Sequence, residues 1–384
     1  MKRSHLVFVC LFAFAACGDG EGWRSKSPED SRDPWSPWES ASGCRLESGE
    51  PCCAIPSEAA LEDSSEPAEI VGDGSPESCT SEAFVSAVRR GGIIRFDCGP
   101  EPMTIVLEET AKIINDSSEE IVIDGGGLIT LSGGGERRIL YMNTCDRELV
   151  WTTSHCDNQD HPRLTLQNLR FMDGDATGQL DEGGGGGAVF VRGGRLKIVN
   201  SVFERNRCDE TGPDLGGGAL RVLNQHENRP VYIIGSRFGG QESDASDDDA
   251  DDEEARGNIC SNGGALSSIG VSFVIADSEF RYNRAIGHGA NPARDGTPGG
   301  GSGGAIYQDG NLFTLSLCGV TIEENHAREG GGAIFFVSND RSGSLRIERS
   351  TLTENPSEGF ETTGFPGIFI LASGPPEIVE STLE

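Results

Sequence analysis

Basic side chains are scarce: 31 Lys and Arg stand against 62 Asp and Glu, a formal net charge of −31. Such a field repels phosphates and argues against nucleic acid or anionic lipid as a partner held by general electrostatics. Histidine is rarer still, with 6 residues, and no Ser-His-Asp order or Cys-His pair stands out. No CxxC pair occurs, which weakens any zinc reading. No apolar run reaches the roughly 20 residues that a membrane-spanning helix needs; the longest covers Leu6 to Ala16. Hydrophobic residues make up 35%, low for a compact globule but enough for a solenoid, whose coils each need only a thin core.

What the first residues do have is a targeting pattern. Lys2 and Arg3 precede the short apolar run, which ends Phe14-Ala15-Ala16-Cys17. That ending resembles the bacterial lipobox, in which the Cys becomes lipidated and N-terminal. The expectation is a signal peptide over 1–16, lipidation at Cys17, and an exported outer-membrane lipoprotein facing the periplasm or the cell surface. Residues 17–67 are rich in Ser, Glu, Pro and Gly without periodicity, and read as a flexible tether.

Export makes disulfides the natural use of the remaining cysteines. Cys79 and Cys98 flank one short helix-and-strand unit, Cys145 and Cys156 flank one loop, and Cys208 and Cys260 sit in loops that a repeat brings together. Cys44, Cys52, Cys53 and Cys318 find no partner by this reasoning. Ser81 to Arg90 predicts a short helix, capped by Ser81 and stopped by Gly91-Gly92, whose apolar stripe covers one end of a solenoid. Residues 68–160 are read as this cap and the first coils, with Asp124 to Gly127 as a turn.

Glycine is plentiful, 54 residues, and clustered. The clusters punctuate an imperfect repeat. LTLQNLRFMDG (164–174), LKIVNSVFERN (196–206), VYIIGSRFGGQ (231–241), FVIADSEFRYN (273–283), LSLCGVTIEEN (315–325) and LRIERSTLTEN (345–355) share apolar residues at positions 1, 3 and 8. Ser is frequent at position 6, and Asn closes four of the six. Gly-Gly-Ala stands between copies, at Gly186, Gly217, Gly263, Gly303 and Gly331 and the two residues after each, with apolar alternation following. Alternation within short segments says strands, and repetition at this interval says stacked coils. The Asn residues are expected in register, tolerating left-handed backbone and bonding amide to amide between coils. The Gly-Gly pair is expected to make a tight corner.

The alternation of GGA with an F-x-x-N ending resembles the repeats of polymorphic outer-membrane proteins and, more broadly, pectin-lyase-like proteins. The fold class implied is all-β, a right-handed parallel β-helix over 161–384 with a short N-terminal capping helix. The chain departs from the polymorphic outer-membrane pattern in ending at Glu384 without a translocating barrel, so a lipid anchor at the other end would take the barrel's place.

The resemblance is informative for fold and poor for activity. Gly287-His288-Gly289 matches one piece of the polygalacturonase signature, but the other pieces are missing and no catalytic residue is assigned. Eight carboxylates fall in residues 244–254, and Asp244, Asp247, Asp248, Asp249, Asp251 and Asp252 could share a Ca²⁺. No calcium-loop pattern accompanies them, and a solvated acidic loop is the simpler reading. No other cofactor is expected. The functional expectation is a surface-anchored β-helix presenting variable loops to a carbohydrate, matrix or cell-surface ligand. The alternative is a polysaccharide lyase or glycoside hydrolase, which three or more carboxylates or Arg/Lys side chains converging in one groove would favour.

Overall fold

In the computed structural model, residues 53–150, 153–180, 184–240 and 256–384 are described. Every named strand pairing in them is parallel, as coils stacked in one direction require. One long sheet takes two segments from each coil, the second sheet has eight strands, and a third has three. The chain folds as a parallel β-helix.

The repeat positions map directly onto this stack. Position 1 residues Leu164, Leu196, Val231, Phe273, Leu315 and Leu345 point inward and are buried, as are the position 3 residues Leu166, Ile198, Ile233, Ile275, Leu317 and Ile347. At position 8, Phe171, Phe203, Phe238 and Phe280 stack ring on ring at 4.8, 4.6 and 4.8 Å. One apolar core thus runs from Val71 to Ile368. Register is set by this repetition, because a one-residue slip in any coil would turn its apolar set outward.

Between the strands, two polar ladders satisfy the corners. Asn206, Asn258, Asn283, Asn325 and Asn355 are buried. Each of the first four donates its side-chain amide to the Oδ1 of the next, at 2.8–2.9 Å. Each of the five also donates to a carbonyl of the preceding coil, such as Phe238 O from Asn283. Ser236 and Ser278 hydroxyls likewise accept the backbone N–H of Ser201 and Ser236, at 3.1 Å.

Several expectations are corrected by the geometry. The ladder Asn residues are not themselves left-handed; the residue before four of them is, at Arg205, Tyr282, Glu324 and Glu354. Position 5 is a second left-handed corner, occupied by Asn168, Asn200, Gly235, Asp277, Gly319, Arg349 and Glu380. In the third copy the ladder residue is Asn258 rather than position 11 of the aligned copy. Gly240 N–H donates to Arg256 O at 3.1 Å, so the coil resumes at residue 256 and Asn258 takes the ladder position. Asp124 to Gly127 is a bulge inside the continuous strand Glu120–Ser132, where the register shifts between Asp124 and Ile129. It is not a turn between strands.

The Gly-Gly-Ala corners have two separate causes. The first Gly of each is left-handed, as at Gly303 (φ 71°) and Gly331 (φ 68°). The second cannot carry a Cβ, because one on Gly304 would run into the carbonyl oxygen of Gly332 in the next coil.

Helix α1 (Ser81–Arg90) buries Phe84, Val85, Ala87 and Val88 in the end of the core. Its N-cap is Thr80, whose Oγ1 accepts from Ala83 N–H at 3.2 Å. Ser81 instead accepts from Glu108 N–H at 2.8 Å.

Candidate functional site

Residues 53–67 close the stretch whose composition reads as a flexible tether, and the structure corrects that expectation. They form a strap along the outer face of the long sheet. Cys53 is disulfide-bonded to Cys318, a pair the sequence did not suggest. Ala59 is buried against Val199, Ile234 and Ala276, which replace polar residues on that face. Tyr232 hydroxyl donates to Glu58, and Lys197 Nζ reaches both Glu62 and, at 2.8 Å, Ala60 O. Glu62 N–H donates to Gln167 Oε1 at 2.9 Å, and Gln167 Nε2 returns a bond to Glu62 O at 3.0 Å. Ser64 Oγ donates to Asp124 Oδ2 at 2.6 Å. A short segment of this composition is held because Glu58, Glu62, Ser64 and the carbonyl of Ala60 all find partners on the sheet.

Asp124 completes this contact. Burial pushes its pKa up, but bonds from Ser64, Asn168, Gly126 N–H and Gln167 together hold it below the ordinary value. The carboxylate is therefore the form that fastens the strap.

Between strap and sheet lies a cleft of about 220 Å³. Arg163 and Arg195 are neighbours one coil apart on one lip. Both reach Asp160, with Glu120 also 3.2 Å from Arg163. Burial raises the pKa of Asp160, while the two guanidinium groups outweigh it and hold the carboxyl below its usual range. Val122, Thr165, Glu58, Glu62 and Tyr232 line the cleft as well. Burial, reinforced by the bond to Glu58, pushes the Tyr232 hydroxyl up to about 12, so it is a donor rather than a base at neutral pH. Arg229 also lines the cleft, is exposed, and has no ion pair among the described residues. Arg229 can grip a carboxylate in bidentate fashion, beside the paired Arg163 and Arg195 and acceptors that can bond neighbouring hydroxyls.

A second polar cluster shapes the loops over the eight-stranded sheet. Glu329 is nearly buried, accepts two bonds from Arg294 at 2.7 Å and one from Gly289 N–H at 2.8 Å, and lies 3.1 Å from His288. Those contacts pin the loop carrying His288 to the solenoid. Beneath it, Asn291 Nδ2 donates to Tyr307 Oη at 2.9 Å. Burial brings Arg221 down to about 10, still protonated at neutral pH, with its Nη2 on Asp214 O at 2.7 Å. A larger cleft of about 660 Å³ beside the cap is floored by Arg138, itself held by Gly185 O, Gly186 O and Gln179.

The structure joins Cys79 to Cys98, Cys145 to Cys156 and Cys208 to Cys260. Cys208 and Cys260 pack with Ala176 in a small apolar cluster of their own. Cys17 and the acidic residues Asp244, Asp247, Asp248, Asp249, Asp251 and Asp252 lie outside the described residues. Among the described residues, no three His, Cys, Asp or Glu side chains group as a metal site.

The repeat of Chlamydia polymorphic membrane proteins matches residues 319–337. That segment runs from the left-handed corner Gly319 through ladder residue Asn325 and the Gly331-Gly332-Ala333 corner into the strand Ile334–Ser338. No curated protein and no solved structure matches the chain. No helix among the described residues is long and apolar enough to cross a membrane.

Proposed function

We propose that this protein is an exported lipoprotein, anchored at Cys17 on the outer membrane, whose β-helix binds a carboxylate-bearing carbohydrate or cell-surface polymer. The observation that carries the reading is the strap cleft. In a chain of net charge −31, three arginines meet there at one opening. The short match to a membrane-protein repeat and the lipobox-like ending at Cys17 support the location. The ladders and corners account for the recurrent residues, which leaves recognition to the strap and the variable loops.

The second reading, a carbohydrate-active enzyme, draws support from the same cleft, because four basic and three acidic side chains converge in it. Its groups are largely locked to one another, Lys197 to Glu62 and Arg163 to Asp160, which suits holding better than proton transfer. One experiment addresses both readings. Purified protein is incubated with neutral and uronic-acid polysaccharides, and co-sedimentation is measured beside reducing ends and ultraviolet-absorbing products. Retention of acidic polymers without products is expected; accumulating products would establish the enzyme, and no retention would dismiss the binder.

A further inference from the structure

We propose that the Cys53–Cys318 bond is a force bypass, which carries tension from the N-terminal segment into the repeat that begins at Leu315 and spares the first coil. The proposal deepens the anchoring reading, since an N-terminal lipid anchor would bring load in along this segment.

The geometry of the two possible entry points differs. Without the bond, a pull on the strap would reach its contacts one at a time: Glu58 with Tyr232, then Lys197 with Glu62, then Ser64 with Asp124. It would next reach the strand Glu69–Gly72, which pairs with Gly92–Asp97 alone among the described strands. Loading an end strand from its terminus breaks its bonds in sequence, the weakest arrangement for a sheet. With the bond, the same pull enters at Cys318, in the strand Thr314–Cys318. That strand is paired along its length with Phe273–Ala276 on one side and Ser344–Glu348 on the other. Its side chains at Leu315 and Leu317 are anchored in the core. The bond also closes a loop with a sequence separation of 265, so residues 54–317 cannot be drawn out by tension between the two chain ends while it is intact. The capping helix and the cleft lie within that loop, so tension between the two chain ends does not unravel them.

Single-molecule pulling of the whole chain between its two ends tests this. The oxidised protein is expected to release only residues 319–384 on unfolding, about 220 Å of contour, beyond the segment before Cys53. The Cys53→Ser/Cys318→Ser variant should release residues 53–384 apart from the spans held by the three remaining disulfides, about 830 Å, and should yield first at a lower force by losing the strap and first coil. If that variant folds poorly, native protein is pulled before and after adding dithiothreitol, which opens all four bonds and should raise the released contour from about 220 Å to about 1,100 Å. Full-length release from the oxidised protein, or an unchanged first yield force in the variant, would overturn the bypass. Neither result depends on lipidation. That is read separately, by whether Cys17→Ala moves the protein out of the membrane fraction, and a bypass in a protein that stays soluble would refute anchoring alone.

Discussion

Asn283→Ala is the sharpest probe of what holds the coils together. Asn283 is fully buried. Its Oδ1 accepts from the backbone N–H of Asn258 at 3.1 Å and from Asn258 Nδ2 at 2.9 Å. Its Nδ2 donates to Phe238 O at 2.9 Å and to Asn325 Oδ1 at 2.8 Å. Alanine removes all four bonds, but the loss is uneven. Asn258 Nδ2 keeps Phe203 O, and Asn325 Oδ1 keeps the N–H of residue 283. The Asn258 N–H loses its acceptor, and Phe238 O loses this donor, both inside the core. At about 1–3 kcal/mol for each stripped group, with a small void added, the loss should be about 3–5 kcal/mol. Asn311→Ala on an exposed turn is the control and should stay within about 0.5 kcal/mol. Denaturant unfolding followed by circular dichroism gives the values, and amide exchange shows whether the coils beside residue 283 open separately, as linear stacks can. A loss below about 1 kcal/mol for Asn283→Ala would refute the ladder as a source of stability.

Three further outcomes follow from the same geometry. Gly304→Ala, which drives a Cβ into the backbone of the next coil, should cost several kcal/mol, while Gly270→Ala, left-handed but with open space around it, should cost about 1 kcal/mol in thermal or urea unfolding. Cys53→Ser/Cys318→Ser should lower stability by up to about 5 kcal/mol on loop-closure entropy, given the sequence separation of 265, measured in denaturant without reductant. Asp124 has a folded pKa held below its unfolded value, so its contribution is fully present above the unfolded pKa and is lost as pH falls through the folded one. Acidification below about pH 4 should therefore loosen the strap, read as faster amide exchange over residues 57–66, and Asp124→Asn should flatten that dependence.

The solenoid was legible because its instructions recur. Positions 1, 3 and 8, the Asn column and the Gly-Gly-Ala corners each appear several times, so one substitution does not hide the pattern. Position 5 carried a usable signal in Asn168, Asn200, Gly235, Asp277 and Gly319, all residues that accept left-handed backbone, but Arg349 and Glu380 gave none. Asn258 escaped because the acidic insertion displaces it from the spacing of its neighbours. The strap was illegible for a different reason. It occurs once, its composition is that of a tether, and its single well-buried apolar side chain beyond Cys53 is Ala59. Its attachment depends on outward residues of the sheet, Val199, Ile234 and Ala276, which look unremarkable in the sequence until the stack places them side by side. The one trace was that Cys53 and Cys318 both lacked a local partner.

The cleft is the centre of the functional account, and amide exchange of the full chain with and without an acidic polysaccharide tests it most directly. Protection is predicted over residues 57–64 and at the starts of the strands Arg163–Met172 and Arg195–Val199, and it should vanish in Arg163→Ala/Arg195→Ala. Protection confined to other loops, or unchanged by that double substitution, would contradict it.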